Sequence, residues 1–378
     1  MAAPAASASI STAPQLLSCK KPSFPRFSTV RCSSLSHKTL ADAKSAITDP
    51  APVFRTVESF APATVANLGP GFDFLGCAVD GLGDIVTVSV DPSVPPGSLS
   101  ISSISGDHPA AVSKLKRNPN MNCAGIAGAA VMRMLGVRSV GLSLRLHKGL
   151  PLGSGLGSSA ASAAAAAVAV NALFGGVLSA ADLVLAGLES EKKFSGYHAD
   201  NVAPSLMGGF VLIRSYEPLD LIRLEFPSNR DLFFVLVSPE FEAPTKKMRA
   251  VLPEIVRREE HVANASQAAA LVAAVIQGDV RVLGSALSAD LIVEPKRAPL
   301  IPGMVAVKKA ALEAGAFGCT ISGSGPTAVA VTEDEEKGMQ IGKKMVEAFM
   351  AEGRLTASAV AAKLDRVGAR VISSTTSD

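Results

Sequence analysis

The sequence predicts an α+β protein of two domains, and three observations carry that prediction. At 378 residues the chain exceeds what a single small hydrophobic core serves. Its first half is a mixed α/β pattern centred on a strand, a glycine-rich turn and a helix. Its second half has the element order of a helix-backed antiparallel sheet. The expected division is a leader over residues 1–50, an N-terminal domain over 51–217 and a C-terminal domain over 218–378.

The leader is read from composition. Residues 1–41 contain no Asp or Glu but carry Lys20, Lys21, Arg26, Arg31 and Lys38 among many Ser and Ala. A Ser-rich, basic, acid-free start is the pattern of an organelle transit peptide. Pro4, Pro14, Pro22 and Pro25 break any apolar core that a secretory signal would need. The hydroxylated, weakly basic character predicts a plastid, hence the chloroplast stroma, with processing near Val30-Arg31-Cys32 or within the next twenty residues. Hydrophobic residues make up 48% and charged residues 18%, so the remainder reads as a soluble globular protein. The net charge of +3 comes largely from the leader, and no basic stripe with interleaved aromatics points to nucleic acid. The longest apolar run, Ala160 to Val170, is too short for a membrane span. Of five cysteines, Cys19 and Cys32 lie in the leader; Cys77, Cys123 and Cys319 have neither CxxC nor metal spacing, as in a reduced compartment.

Taken in order, residues 53–90 are strand-rich, interrupted by Gly69-Pro70-Gly71, which cannot lie inside a regular element. Asn67 and Asp73 flank that bend, and alone they read as an Asx-turn residue and a cap. Ser98 to Ile104 is a short strand, and Asn122 to Leu135 a helix with small residues on one face. Val140, Leu142, Leu144 and Leu146 alternate with Gly141, Ser143, Arg145 and His147, a period-2 strand. An Ala-rich helix runs to Phe174, where Gly175-Gly176 stops it, and Ser179 caps a helix from Ala180 to Lys193. A polar loop, Ser195 to Pro204, precedes a strand from Gly208 to Ser215. The second half predicts strands at 221–226 and 232–238, then a helix opened by Thr245 with Lys246, Lys247 and Arg249. Helices follow at 264–277 and 280–288, then a loop at 294–303 and a helix to Ala314. Strands at 319–321 and 328–331 flank Ser322-Gly323-Ser324-Gly325-Pro326-Thr327. A helix at 335–350 and a strand at 369–372 end the chain.

The strand, turn and helix meet at Pro151-Leu152-Gly153-Ser154-Gly155-Leu156-Gly157-Ser158-Ser159-Ala160-Ala161. That is the geometry in which backbone N–H groups converge on a phosphate, and glycines let the backbone approach and take positive φ. The serines can cap the helix or hold a cation. The plainer reading is a tight turn with Ser158 as N-cap. No Gly-Lys-Ser/Thr follows the loop, so it is not a Walker A sequence. Gly153, Gly155 and Gly157 give G-x-G-x-G without the acid-terminated second strand of a dinucleotide site.

Pro62–Asp73, Pro151–Ala161 and Ser322–Thr327, in that order along the chain, resemble the three motifs of the GHMP small-molecule kinases. Asn67 to Asp73, His198 to Pro204 and Glu294-Pro295-Lys296-Arg297 are similar to the branch that phosphorylates L-homoserine, in its plant plastid form. The resemblance covers nearly everything after the leader. It implies a nucleotide-binding N-terminal domain and a ferredoxin-like C-terminal domain. It further implies ATP bound by Pro151–Ala161, and Mg²⁺ held by Ser159 and Glu191, with Glu189 as second choice. Asn67 and Asp73 match residues that hold a substrate's ammonium; Arg249 and Arg297 match those that hold its carboxylate; Thr245 matches one near the γ-phosphate. Asn201 stands where several relatives carry a basic aspartate, so Asn201 and His198 are expected to orient the hydroxyl and phosphate, with Asp200 as the rival general base. A homodimer is implied as well.

The chemistry agrees with that resemblance. A zwitterionic amino acid with a primary hydroxyl needs an anion for its ammonium and cations for its carboxylate, and arginine's planar fork suits the latter. A plastid kinase of the same family acting on an isoprenoid intermediate would not need two carboxylate-binding arginines. A nicotinamide-dependent reductase would need a ribose-binding acid, and a non-catalytic sensor would not need every ligand position intact.

Overall fold

The computed structural model describes residues 29–31, 49–107 and 109–376. Of the expected leader only residues 29–31 and 49–50 are described; the rest, with most of the expected processing window, lies outside the described residues. Strands in chain order are β1 Thr29–Arg31, β2 Thr56–Ala66, β3 Leu75–Val90, β4 Leu99–Gly106, β5 Leu142–Lys148, β6 Phe210–Tyr216 and β7 Leu219–Leu224. β8 Phe233–Pro239, β9 Gly318–Ile321, β10 Ala328–Thr332, β11 Ala357–Lys363 and β12 Arg370–Thr375 follow. Helices are α1 Pro109–Val112, α2 Cys123–Leu135, α3 Ser158–Leu173, α4 Ala180–Phe194, α5 Val202–Met207 and α6 Thr245–Ala250. Then come α7 Arg258–Gln277, α8 Val280–Leu287, α9 Glu294–Arg297, α10 Met304–Glu313 and α11 Glu335–Ala348.

Two sheets result. The larger runs β1-β7-β6-β3-β2-β12, with β5 on β3 and β4 parallel to β5. The long strand β3 makes this possible. Its start, Leu75 to Cys77, pairs with β6, and its end, Asp84 to Val90, pairs with β5. A bulge between Pro62 and Ala63 accommodates the bend in the β2–β3 ladder. The larger sheet takes β7 and β12 from beyond residue 218. The smaller sheet runs β11-β8-β10-β9, all antiparallel, with α11 crossing between β10 and β11. That order is the ferredoxin-like βαββαβ arrangement.

The Ala-rich run makes α3 the central helix. Ala160 to Ala167 are almost all fully buried, and their small side chains let the helix pack closely against β2, α2 and α4. A capping box, Ser179 with Asp182, starts α4. Three local expectations change. The 195–204 loop gives way to α5 from Val202, and the 294–303 loop begins with α9. The fourth strand of the smaller sheet, β11, is absent from the sequence reading because Ala357-Ser358-Ala359-Val360-Ala361-Ala362-Lys363 shows no hydrophobic alternation; pairing with β8 alone makes it a strand.

Candidate active site

The glycine loop connects β5 to α3 through left-handed backbone that favours glycine. Gly153, Gly155 and Gly157 have φ of +64°, +83° and +65°. A Cβ on Gly155 would sit 2.4 Å from the Ser322 carbonyl oxygen, and one on Gly157 would sit 2.0 Å from Thr64 Oγ1. Gly157, not Ser158, is the N-cap of α3, and no side chain caps this end. Ser158 is the first helical residue and donates to the Leu150 carbonyl at 3.3 Å. The N-terminal N–H groups of a 16-residue helix therefore face the cavity without a protein cap, the arrangement that attracts a phosphate.

Distant segments hold this loop. Ser322 Oγ donates to the Gly155 carbonyl at 2.7 Å, Thr327 N to that of Ser154 at 3.1 Å, and Thr64 N to that of Leu156 at 3.1 Å. Beneath it, Lys148 and Asp84 stand opposite each other in the β3–β5 register and form a buried ion pair. Lys148 Nζ also donates to the Ser158 carbonyl at 2.7 Å and to Ser162 Oγ at 2.9 Å. Sequence reasoning missed this pair, whose members are polar positions of two strands far apart in the chain.

Ser159 and Glu191 meet on one wall, with Ser159 Oγ donating to Glu191 Oε1 at 2.9 Å. Glu191 also accepts from Ser195 but forms no ion pair among the described residues. Burial raises its carboxyl above the ordinary range, against the Ser195 and Ser159 hydrogen bonds. A buried carboxylate beside a hydroxyl, short of positive charge, is a hard-oxygen donor set that fits Mg²⁺. Glu189, two residues earlier in α4, points to the opposite side of the helix, where it is exposed and paired with Arg133.

The opposite wall is built from the bend at Asn67–Asp73. Asn67 and Asp73 themselves have positive φ, +71° and +65°. The Asn67 side chain fixes the turn, accepting from Asp73 N at 3.0 Å and donating to the Gly323 carbonyl at 2.8 Å. Arg297 Nη1 donates to that same carbonyl at 2.9 Å, so residues 67, 297 and 323 share one anchor. Asp73 forms a two-armed ion pair with Arg249, and its Oδ2 lies 3.4 Å from His198 Nδ1. Phe72 lies under both guanidinium groups, 5.2 Å from Arg249 and 5.0 Å from Arg297. Thr245 Oγ1 is 3.3 Å from Ser324 Oγ.

Charge in this wall is unbalanced. Arg297 is 2% exposed, and burial, then repulsion from Arg249, lowers its guanidinium to about 10. Burial likewise lowers His198, helped by repulsion from Arg249 and opposed by attraction from Asp73. Asp200 is pushed up to about 7, chiefly by burial and then by Asp73. Sequence reasoning placed Asp200 only as a rival; its neighbour Asn201 accepts a hydrogen bond from Thr64 Oγ1 at 2.7 Å.

One cavity of about 310 Å³ joins the walls. Asn67, Leu152, Gly153, Ser154, Gly155, Gly157, Ser158, Ser159, Glu191, His198, Asn201, Thr245, Arg249 and Arg297 line it. Asp73 reaches it through Arg249 and His198. Pro151, Leu156, Ala160 and Ala161 support the loop from behind without lining the cavity. Lys148, Asn122, Cys123, Asp200 and Ser324 line it in addition.

Family models match in two blocks, the GHMP kinases N terminal domain over residues 122–209 and the GHMP kinases C terminal domain over residues 271–351. A homoserine kinase of Arabidopsis thaliana is 67% identical over 353 residues, 93% of each chain. One of Pyrococcus abyssi is 40% identical over 77% of this chain and 91% of its own. Among solved structures, a homoserine kinase from Cytophaga hutchinsonii superposes with a TM-score of 0.77 at 40% identity, covering 84% of this chain and 98% of that one. The L. major mevalonate kinase, at 17% identity and a TM-score of 0.63, shares the fold. With this similarity over nearly its whole described length, the chain belongs to the homoserine kinase family of GHMP kinases.

Proposed function

We propose that the protein transfers the γ-phosphoryl group of ATP to the side-chain hydroxyl of L-homoserine, giving O-phospho-L-homoserine and ADP. The observation that carries this reading is the joining, around one cavity, of an uncapped glycine loop to a wall where Arg249 and Arg297 line the space and Asp73 stands behind Arg249 in an ion pair. The loop cradles the nucleotide phosphates. Asp73 and Asn67 take the ammonium of the amino acid, and Arg249 and Arg297 take its carboxylate. An isoprenoid acceptor offers no ammonium for Asp73.

Ser159 and Glu191 are the residues that would hold Mg²⁺, which when bound neutralises charge on the phosphates. Thr245 borders the transferring group. Phosphoryl transfer through a loose transition state needs little deprotonation before attack, so positioning and charge neutralisation suffice. Asn201 and His198 orient the hydroxyl, which passes its proton to a phosphoryl oxygen as the new O–P bond forms and the bond to ADP breaks. Asp200 is the rival, because a cavity-lining carboxyl near 7 is poised to accept that proton. If Asp200 is the base, Asp200→Asn lowers kcat by several orders of magnitude while Asn201→Ala lowers it little; the positioning account expects the reverse.

The same reading places the enzyme in the plastid stroma, on the acid-free, Ser-rich leader, and takes it to be a homodimer, on the family resemblance. No helix among the described residues is long and apolar enough to cross a membrane. An ADP-release assay with homoserine, mevalonate and no acceptor tests the activity. Homoserine-dependent turnover supports the reading, and acceptor-independent turnover, or none with homoserine, overturns it.

A further inference from the structure

Thr64 lies on β2, fully buried, in neither the phosphate loop nor the amino-acid wall. Yet it touches both halves of the site. Its backbone N–H donates to the Leu156 carbonyl at 3.1 Å, and its hydroxyl donates to Asn201 Oδ1 at 2.7 Å. Gly157 leaves room for this contact: a Cβ there would stand 2.0 Å from Thr64 Oγ1 and 2.9 Å from Asn201 Oδ1. A carboxamide has one accepting oxygen and one donating NH₂. With the oxygen engaged by Thr64, the NH₂ is left for the cavity that Asn201 lines, and it has no acceptor among the described residues.

We infer that Thr64 is a positioning residue for phosphoryl transfer. It fixes the carboxamide of Asn201 so that its NH₂ faces the acceptor hydroxyl and transferring phosphoryl, and through Leu156 and Gly157 it ties that orientation to the phosphate loop. The inference rests on the proposed role of Asn201. An unanchored carboxamide turns about its terminal torsion, which has a broad, roughly two-fold profile, and presents its oxygen to an anionic phosphoryl as readily as its NH₂. The hydroxyl of Thr64 removes that ambiguity, and glycine at 157 leaves room for the contact.

Thr64→Val keeps the volume of the side chain and removes the hydroxyl, whereas Thr64→Ser keeps the hydroxyl. Thr64→Val is expected to lower kcat by about 10- to 100-fold with KM for ATP changed by less than about 2-fold, and Thr64→Ser to recover most of the loss. In an Asn201→Ala background, Thr64→Val should cost no more than about 2-fold further. A crystal structure of Thr64→Val should show the Asn201 carboxamide rotated from its wild-type orientation. Equal kcat losses in Thr64→Val and Thr64→Ser, fully multiplicative losses with Asn201→Ala, or an unmoved Asn201 in the crystal would each overturn the inference. Wild-type enzyme inactive on homoserine would instead overturn the activity reading, leaving the crystal structure to judge the positioning.

Discussion

Asp73 and Arg249, 176 residues apart in sequence, close on each other in a two-armed ion pair, with Nη1 to Oδ2 at 3.0 Å. On the proposed reading, the two charges that a zwitterionic substrate would engage here neutralise each other. A substrate that brings both an ammonium and a carboxylate can replace each partner with its own group. One that brings a single charge leaves a half-buried partner unpaired.

Arg249→Ala and Arg297→Ala should therefore weaken homoserine binding by about 2–5 kcal/mol each. The loss should fall on KM for homoserine, with KM for ATP little changed. Unchanged homoserine KM in both variants would refute the assignment of these arginines.

Asp200 makes stability depend on pH. Its carboxyl is raised to about 7 in the folded chain, principally by burial, from an ordinary value of 3.8. A raised carboxyl contributes stability that is fully present below the unfolded value and is lost as pH climbs through the folded one. Wild-type Tm should accordingly fall relative to that of Asp200→Asn between about pH 4 and pH 7. Parallel Tm–pH curves for the two proteins would show that Asp200 is not held in this state.

Glu191→Gln separates a functional from a structural carboxylate. Its raised carboxyl makes the ionised form costly to the fold, so at pH 8 the Gln variant should melt no lower than wild type. Its kcat should drop by about 10²- to 10³-fold, with weakened dependence on Mg²⁺ concentration. A variant with wild-type kcat and Mg²⁺ dependence would remove Glu191 from the site.

Two glycines of the loop should respond differently to alanine. At Gly153 an added Cβ meets nothing within 4 Å, so Gly153→Ala bears only the positive-φ penalty, about 1–2 kcal/mol. At Gly155 the same Cβ adds a 2.4 Å collision with the Ser322 carbonyl. Thermal melts should rank Gly155→Ala well below Gly153→Ala; equal Tm values would contradict the close seating of the loop on Ser322.

What the sequence discloses follows from how locally each feature is encoded. Gly153, Gly155 and Gly157 are legible because their backbone conformation excludes most side chains, and the Ala run after them because it can only be a helix. Arg249 is different. Beside Lys246 and Lys247 it reads as surface charge, and only the fold turns it toward Asp73. Arg297 reads as a loop charge yet is almost wholly buried. Neither arginine could be chosen without the family resemblance. Asp84 and Lys148 are joined by strand register, and Thr64 reaches Asn201 because α5 docks near β2; no local pattern encodes either contact. β11 and the return of β12 to the larger sheet are decided by which edge was left unpaired, a property of the whole chain.

The proposed function has one pocket read both charges of an amino acid beside a phosphate loop. Its most direct test compares kcat/KM for L-homoserine with that for 4-hydroxybutanoate, which lacks the ammonium, and for 3-aminopropan-1-ol, which lacks the carboxylate. Each deletion should reduce kcat/KM by at least about 10³-fold, the scale of a buried charge left unpaired. Turnover of either analogue within about 10-fold of homoserine would contradict the account.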